Sequence, residues 1–172
     1  MPHIDLIDPE QAEETAATLF KTAQEAFGVI PEPLKLFAHN PSVATKVFEG
    51  FAPSMEQNKL SQPLFAWTRY LLANHTRCTH CIDLNAGILL EMGADQAVLA
   101  AAREDAATVP LPAEETALLL ACLKVMRDHR LLDKAEIDDL KGHGYSDADL
   151  ITAFHHAAHT QAVDLMINAF GL

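Results

Sequence analysis

The chain has 172 residues, of which 49% are hydrophobic, and this is enough for one sizeable core. It carries 24 acidic against 12 basic residues, a formal net charge of −12, which disfavours binding to nucleic acid or to an anionic membrane surface. No apolar stretch is long enough to cross a bilayer, and the acidic N-terminus does not have the pattern of a secretory signal. We therefore expect a cytoplasmic protein with no nucleic-acid partner and no membrane partner.

Helix start and stop signals recur from the N-terminus onwards. Asp8 is in position to cap a first helix, which continues until Gly28. The proline-rich stretch VIPEPLKLFAHNP then allows at most one short helix. The apolar spacing that follows predicts another helix, which Pro53 ends or kinks.

The central part of the chain is predicted to contain two helices that meet near a pair of cysteines. Ser61 is in position to cap the first helix, which is apolar on most of its sides. A short break near residues 74–77 leads into the second helix, which Gly93 ends. Cys78 and Cys81 therefore lie at the start of a helix.

The C-terminal part is also predicted to be helical. Asp95 starts a short helix, TALLLACLKVMRDH forms a strongly apolar one, Asp133 starts another, and the last begins at Ser146 and runs to Gly171. Cys122 falls in the apolar register of its helix and is expected to pack in the core. Because no strand pattern is present, we predict an all-α single domain of about eight helices.

The sequence CTHC carries the strongest chemical signal. A cysteine at a helix N-terminus faces free backbone amides and the positive end of the helix dipole, which in CxxC pairs can lower a thiol pKa to roughly 3.5–7.5. Cys78 and Cys81 are one turn apart, within the reach of a disulfide. His75 and His80 can hold a proton near neutral pH, whereas Asn85, on the same face, can hydrogen-bond but cannot take up a proton.

With its segments FGVIPEPLKLFAHNPSV, LLANHTRC, CTHC and EMGAD in this order, the chain resembles the AhpD-like members of the carboxymuconolactone decarboxylase family. The resemblance covers nearly the whole chain. It implies one all-helical domain over residues 1–172, with the CxxC core at about 41–125, and a homo-oligomer, either a trimer or a hexamer. It also implies reduction of a small-molecule hydroperoxide or disulfide at the expense of a thiol reductant, with no metal or organic cofactor.

The alkylhydroperoxidase branch of that family has a glutamate twelve residues before the CxxC, a histidine inside it, and a histidine four residues after its second cysteine. Carried over to this chain, the resemblance assigns catalytic roles to Cys78, Cys81 and His80. The glutamate position is Ala66 and the second histidine position is Asn85, so two members of the family's proton relay are replaced. The chain is predicted to be a thiol oxidoreductase of alkylhydroperoxidase type, and the alternative is a relay-deficient binding or assembly protein.

A zinc site and a histidine cluster are further alternatives. CxxC supplies two of the four ligands that zinc prefers, and His75, His80 or a histidine of the last helix would have to complete the set. The last helix contains FHHAAHTQAVD, in which His155 and His159 share a face, with His156 beside them. This pair is interpreted as a half-exposed or hydrogen-bonded helix face, and the alternatives are a metal pair or a lining of the cysteine site.

Overall fold

The structure is a computed structural model that describes residues 2–56, 59–128 and 131–172. These residues form helices and no strands, which confirms the all-α prediction. The α-helices are, in chain order, α1 (Glu14–Phe27), α2 (Glu32–Phe37), α3 (Pro41–Glu49), α4 (Ala52–Met55), α5 (Gln62–Thr76), α6 (Thr79–Glu91), α7 (Gln96–Glu104), α8 (Ala113–Asp128), α9 (Lys134–Gly142) and α10 (Asp147–Ala169). The short helices α2 and α4 raise the number above the eight or so predicted. None of the described helices is both long and apolar enough to cross a membrane.

The helix that Asp8 caps is not the one predicted. The carboxylate of Asp8 accepts a hydrogen bond from the amide of Glu10 at 3.0 Å and caps a 3-10 helix, Pro9–Gln11. The backbone becomes extended at Ala12, so α1 begins only afterwards. Gly28 ends α1 in the left-handed conformation, with φ 73°, as predicted.

Two predicted helix ends are displaced. Helix α3 ends at Glu49, so Pro53 lies inside α4 rather than ending the helix before it. Proline is tolerated there because the first turn of a helix leaves its amide groups unpaired. The break predicted at residues 74–77 shortens to Arg77, because α5 stays helical through Thr76. The prediction that α8 reaches His129 lies outside the described residues.

The chain divides into two compact units. The first comprises Met1–Phe51 and Met166–Leu172, and contains α1, α2 and α3. Its two chain segments are joined where the amide of His3 donates to the carbonyl of Phe170 at 2.7 Å. Its buried residues include Phe20, Leu34 and Phe37. The prediction that all 172 residues form one domain stays a prediction.

The second unit comprises Ala52–Leu165 and is organised around α5. This helix packs against α6, α7 and α8, and its residues 64–73 are buried except for the half-buried Arg69. Its core also holds Cys122, which is 2% exposed, so the prediction that this cysteine packs in the core is confirmed. Burial raises the pKa of the Cys122 thiol to about 12, which makes it a poor nucleophile near neutral pH.

Candidate active site

Two residues, Arg77 and Cys78, join α5 to α6. Arg77 has φ 59° and ψ 34°, the left-handed conformation that non-glycine residues rarely adopt. Its amide and that of Cys78 both donate to the carbonyl of Ala73, which satisfies the end of α5 while the chain turns. This turn therefore places Cys78 at the N-cap of α6.

Cys78 and Cys81 form a disulfide in the first turn of α6, with their Cα atoms 5.2 Å apart. Cys78 is the N-cap residue, and its sulfur accepts a hydrogen bond from the amide of Cys81 at 3.3 Å. This confirms the predicted place of the pair at a helix start. Both residues are buried, with exposed fractions of 0% and 5%.

A third chemical group, Asp164 of α10, lies beside the two cysteines. Its carboxylate oxygen and the two sulfur atoms all lie within 4.8 Å of one another. The hydroxyl of Thr76 donates to Oδ2 of Asp164 at 3.0 Å. Burial raises the pKa of the Asp164 carboxyl to about 7, with the Thr76 hydrogen bond acting in the opposite direction.

Sequence reasoning missed Asp164, although the sequence contains a signal for it. His156, Thr160 and Asp164 are spaced by four residues, so they share one face of α10, and all three are buried. An acidic residue on a buried helix face is uncommon unless it has a partner. That pattern indicates a special environment for Asp164, but it does not identify the cysteines as its neighbours.

Asn85 holds α6 to α5. Its side-chain amide donates to the carbonyl of Cys81 at 2.8 Å, and its oxygen accepts a hydrogen bond from Nε of Arg69 at 2.8 Å. Burial lowers the pKa of Arg69 to about 10, so this guanidinium remains charged near neutral pH. The predicted proximity of Asn85 to the cysteines is therefore seen, and Arg69 is a second residue that sequence reasoning missed.

The remaining candidate residues lie in different environments. His80 is half-buried in the first turn of α6, between the two cysteines in sequence. His75 is exposed in the last turn of α5. Ala66, at the position of the family's glutamate, is fully buried in the core of the second unit.

The three histidines of α10 divide between its two sides. His155 is exposed and His159 half-buried, and their rings stack with centroids 5.8 Å apart, as expected for a half-exposed helix face. His156 is 1% exposed and packs against the ring of Phe65, with centroids 4.6 Å apart. Burial, helped by the charge of Arg69, lowers the pKa of His156 to about 3, so it is neutral at physiological pH.

Among the described residues, one cluster brings together three groups of the types that bind metal: Cys78, Cys81 and Asp164. It contains none of the histidines that were considered as further zinc ligands. The two sulfurs are bonded to each other rather than present as thiolates, and a thiolate is the form of cysteine that binds a metal. In this oxidised state the cluster is a disulfide beside a carboxyl group rather than a metal site.

No family model matches the chain, and no curated protein matches it. Solved structures do match it. An AhpD-core structure, an uncharacterized peroxidase-related protein from Ralstonia eutropha JMP134, superposes with a TM-score of 0.85 at 18% identity, covering 99% of this chain and 90% of that chain. An uncharacterized peroxidase-related protein from Silicibacter sp. TM1040 gives 0.84 at 17% identity, with coverages of 99% and 90%.

The debrominase Bmp8 is a third match, with a TM-score of 0.72 at 18% identity, covering 96% of this chain and 88% of that chain. A cysteine-to-alanine variant of that debrominase has been solved in complex with 2,3,4-tribromopyrrole. These similarities are similarities of fold. The chain has the AhpD-like all-helical fold, as its sequence resemblance predicted.

Proposed function

We propose that the chain is a thiol oxidoreductase in which Cys78 and Cys81 cycle between dithiol and disulfide. The observation that carries this proposal is the disulfide itself, formed between a helix N-cap and the same helix's third residue. A free thiolate at this position gains hydrogen bonds from backbone amides and a favourable interaction with the helix dipole. His80, between the two cysteines, is proposed to hold or move a proton near them.

The proposed electron acceptor is a small-molecule hydroperoxide or a disulfide. A cysteine thiolate attacks the hydroperoxide, the O–O bond breaks, and the products are an alcohol and a cysteine sulfenic acid. The second cysteine attacks that sulfur, releases water and closes the disulfide. Two equivalents of a thiol reductant then return the pair to the dithiol through a mixed disulfide. No cofactor takes part in this cycle, and a homo-oligomer remains the expected assembly.

The direct test is consumption of cumene hydroperoxide by the purified protein with dithiothreitol as reductant. Cys78→Ser and Cys81→Ser should each lower turnover, because neither variant can close the disulfide. The variant without the attacking thiol should fall to the rate without protein, and the other should keep only the slower route in which dithiothreitol reduces the sulfenic acid directly. Cys122→Ala is the matched control, since it removes a cysteine that packs in the core, and its rate should equal that of the wild type. Equal rates in the wild type and both serine variants would contradict the proposal.

A binding or assembly protein without turnover is the second candidate. Two observations favour it: the fully buried Ala66 and the amide of Asn85 stand where the resembling enzymes have groups that move protons. The same assay separates the two candidates when oxidised glutathione and a brominated pyrrole are added as acceptors, the latter because a debrominase shares the fold. If the folded wild-type protein turned over neither cumene hydroperoxide, nor oxidised glutathione, nor the brominated pyrrole, the second candidate would be favoured.

A further inference from the structure

We propose that Asp164 is an acid–base group of the Cys78–Cys81 pair, in addition to the role proposed for His80, and that it supplies from α10 the proton transfer for which positions 66 and 85 lack a titratable side chain. The inference rests on the proposed function, because it gives a role to a residue in the same redox cycle. It differs from the relay implied by the sequence resemblance, since neither the residue nor its helix belongs to that pattern.

The position of Asp164 meets the geometric requirement. Its carboxylate lies within 4.8 Å of both sulfur atoms while they are bonded to each other. When the disulfide opens, each sulfur becomes free to rotate about its own side-chain torsion and to approach the carboxyl group. Contacts of catalytic acids and bases are often longer in the resting protein than in the reacting complex.

The hydrogen bonds around Asp164 accommodate both of its protonation states. The hydroxyl of Thr76 lies 3.0 Å from Oδ2 of Asp164, 3.1 Å from the carbonyl of Leu72 and 3.2 Å from that of Ala73. This hydroxyl has one proton and two lone pairs. It donates to the carboxylate when Asp164 is ionised, and it can accept from the carboxylic acid while donating to a carbonyl of its own helix when Asp164 is neutral.

The surroundings of Asp164 make both protonation states accessible near neutral pH. The sulfur atoms of Cys78 and Cys81 lie beside it on α6 and do not titrate while they are bonded to each other, and the uncharged Thr76 donates to it from α5. On α10 itself, buried His156 lies two turns away and is neutral. Because burial outweighs the single hydrogen bond, the pKa of Asp164 lies at about 7, where an acid–base group works best at neutral pH.

The proton transfers balance in both halves of the cycle. During reduction, the thiolate of the reductant attacks one sulfur, the Cys78–Cys81 bond breaks, and the departing thiolate takes the proton of the Asp164 carboxylic acid. A second reductant thiolate then attacks the reductant sulfur of the mixed disulfide and releases the other cysteine as a thiolate. The two protons that the reductant thiols gave up on ionising protonate this cysteine and restore the carboxylic acid of Asp164. During oxidation, the Asp164 carboxylate takes a proton from the attacking thiol, and that proton leaves with the alkoxide released from the hydroperoxide as an alcohol.

The test compares wild type, Asp164→Asn and Asp164→Glu, with Asp138→Asn as a control on the exposed surface of α9. The rates to measure are single-turnover reduction of the disulfide by dithiothreitol and reoxidation of the dithiol by cumene hydroperoxide, from pH 5 to pH 9. Circular dichroism establishes that each variant is folded. The reduction rates are expressed per dithiothreitol thiolate, so that ionisation of the reductant does not contribute to the profile.

In the wild type, the rate of reduction should fall as pH passes through about 7, because this step needs the acid form of Asp164. The rate of reoxidation should rise with pH, because that step needs the base form. Asp164→Asn should lose both inflections and about 100-fold in rate, the lower range for general acid–base catalysis. Asp164→Glu should keep an inflection with a smaller loss of rate. Asp138→Asn should match the wild type.

Wild-type rates and inflections in Asp164→Asn would overturn the role of Asp164 while leaving the dithiol cycle intact. A slower Asp164→Asn that keeps both inflections would also overturn it, because Asp164 would then only position the cysteines. A wild-type pair that is neither reduced by dithiothreitol nor reoxidised would instead refute the proposed function. The three failures are therefore distinguishable.

Discussion

At the scale of single residues, Arg77 shows how the backbone brings the cysteine pair to its helix start. A left-handed residue ends α5, and the next residue is the N-cap of α6. Glycine is the usual residue in this conformation because it has no Cβ to clash with the backbone. The chain instead uses arginine, which adopts it at an energetic cost, so the turn must be held by its neighbours.

Replacing Arg77 tests that description of the turn. Arg77→Val should destabilise the fold by about 1–2 kcal/mol, because a β-branched side chain is strained further in the left-handed region. Arg77→Gly should leave the free energy of unfolding within about 0.5 kcal/mol, since relief of strain offsets the greater entropy of the unfolded chain. Urea unfolding measures both, with Arg103→Val on the exposed side of α7 as the control for valine in a helix. Equal stability of Arg77→Val and Arg77→Gly would contradict the description.

At the scale of helices, the start of α5 has a stronger cap than an ordinary N-terminus. The hydroxyl of Ser61 accepts from the amide of Leu64 at 3.1 Å and donates to the carboxylate of Glu115 at 2.7 Å. The amide of Ser61 also donates to this carboxylate, which lies in the first turn of α8 and is 8% exposed. One serine thus caps the central helix and ties it to a neighbour.

Ser61→Ala should therefore lower the free energy of unfolding by more than the loss of a simple helix cap does. We expect about 2–3 kcal/mol from urea unfolding, because the variant loses the cap and also removes a hydrogen bond from a buried carboxylate. Asp95→Ala is the matched control, since Asp95 caps α7 through one exposed hydrogen bond to Val98, and it should cost about 1 kcal/mol. Equal losses for the two variants would show that the contact with Glu115 contributes nothing.

Local signals explain which parts of the fold and site could be predicted from the sequence. Ser61, Asp95 and Asp133 cap their helices as predicted, because a cap depends on residues within one turn. The place of CTHC at a helix start is local in the same way. The approach of Asp164 to the cysteines depends instead on how α10 packs, and residues so far apart in sequence leave no spacing that reveals their contact.

At the scale of the whole molecule, two buried groups should make the stability depend on pH in opposite directions. The pKa of Asp164 is raised from 3.8 to about 7, so the folded state binds this proton more tightly and its stability falls as pH rises between those values. The pKa of His156 is lowered from 6.5 to about 3, so the folded state binds this proton less tightly. The contribution of His156 to stability therefore rises with pH over nearly the same interval. In the wild type the two slopes should largely cancel.

Asp164→Asn should remove the pH dependence of stability that comes from Asp164 and leave the one that comes from His156. With the disulfide intact, the variant should gain stability from pH 4 to pH 6.5, and its advantage over the wild type should grow to at most ~4 kcal/mol above pH 7, the equivalent of about three pKa units. Urea unfolding of both proteins at each pH, without reductant, measures the difference, in which the contributions of all other groups cancel. A difference that does not change with pH would mean that Asp164 titrates normally in the folded protein, and the balance between the two buried groups would then be absent.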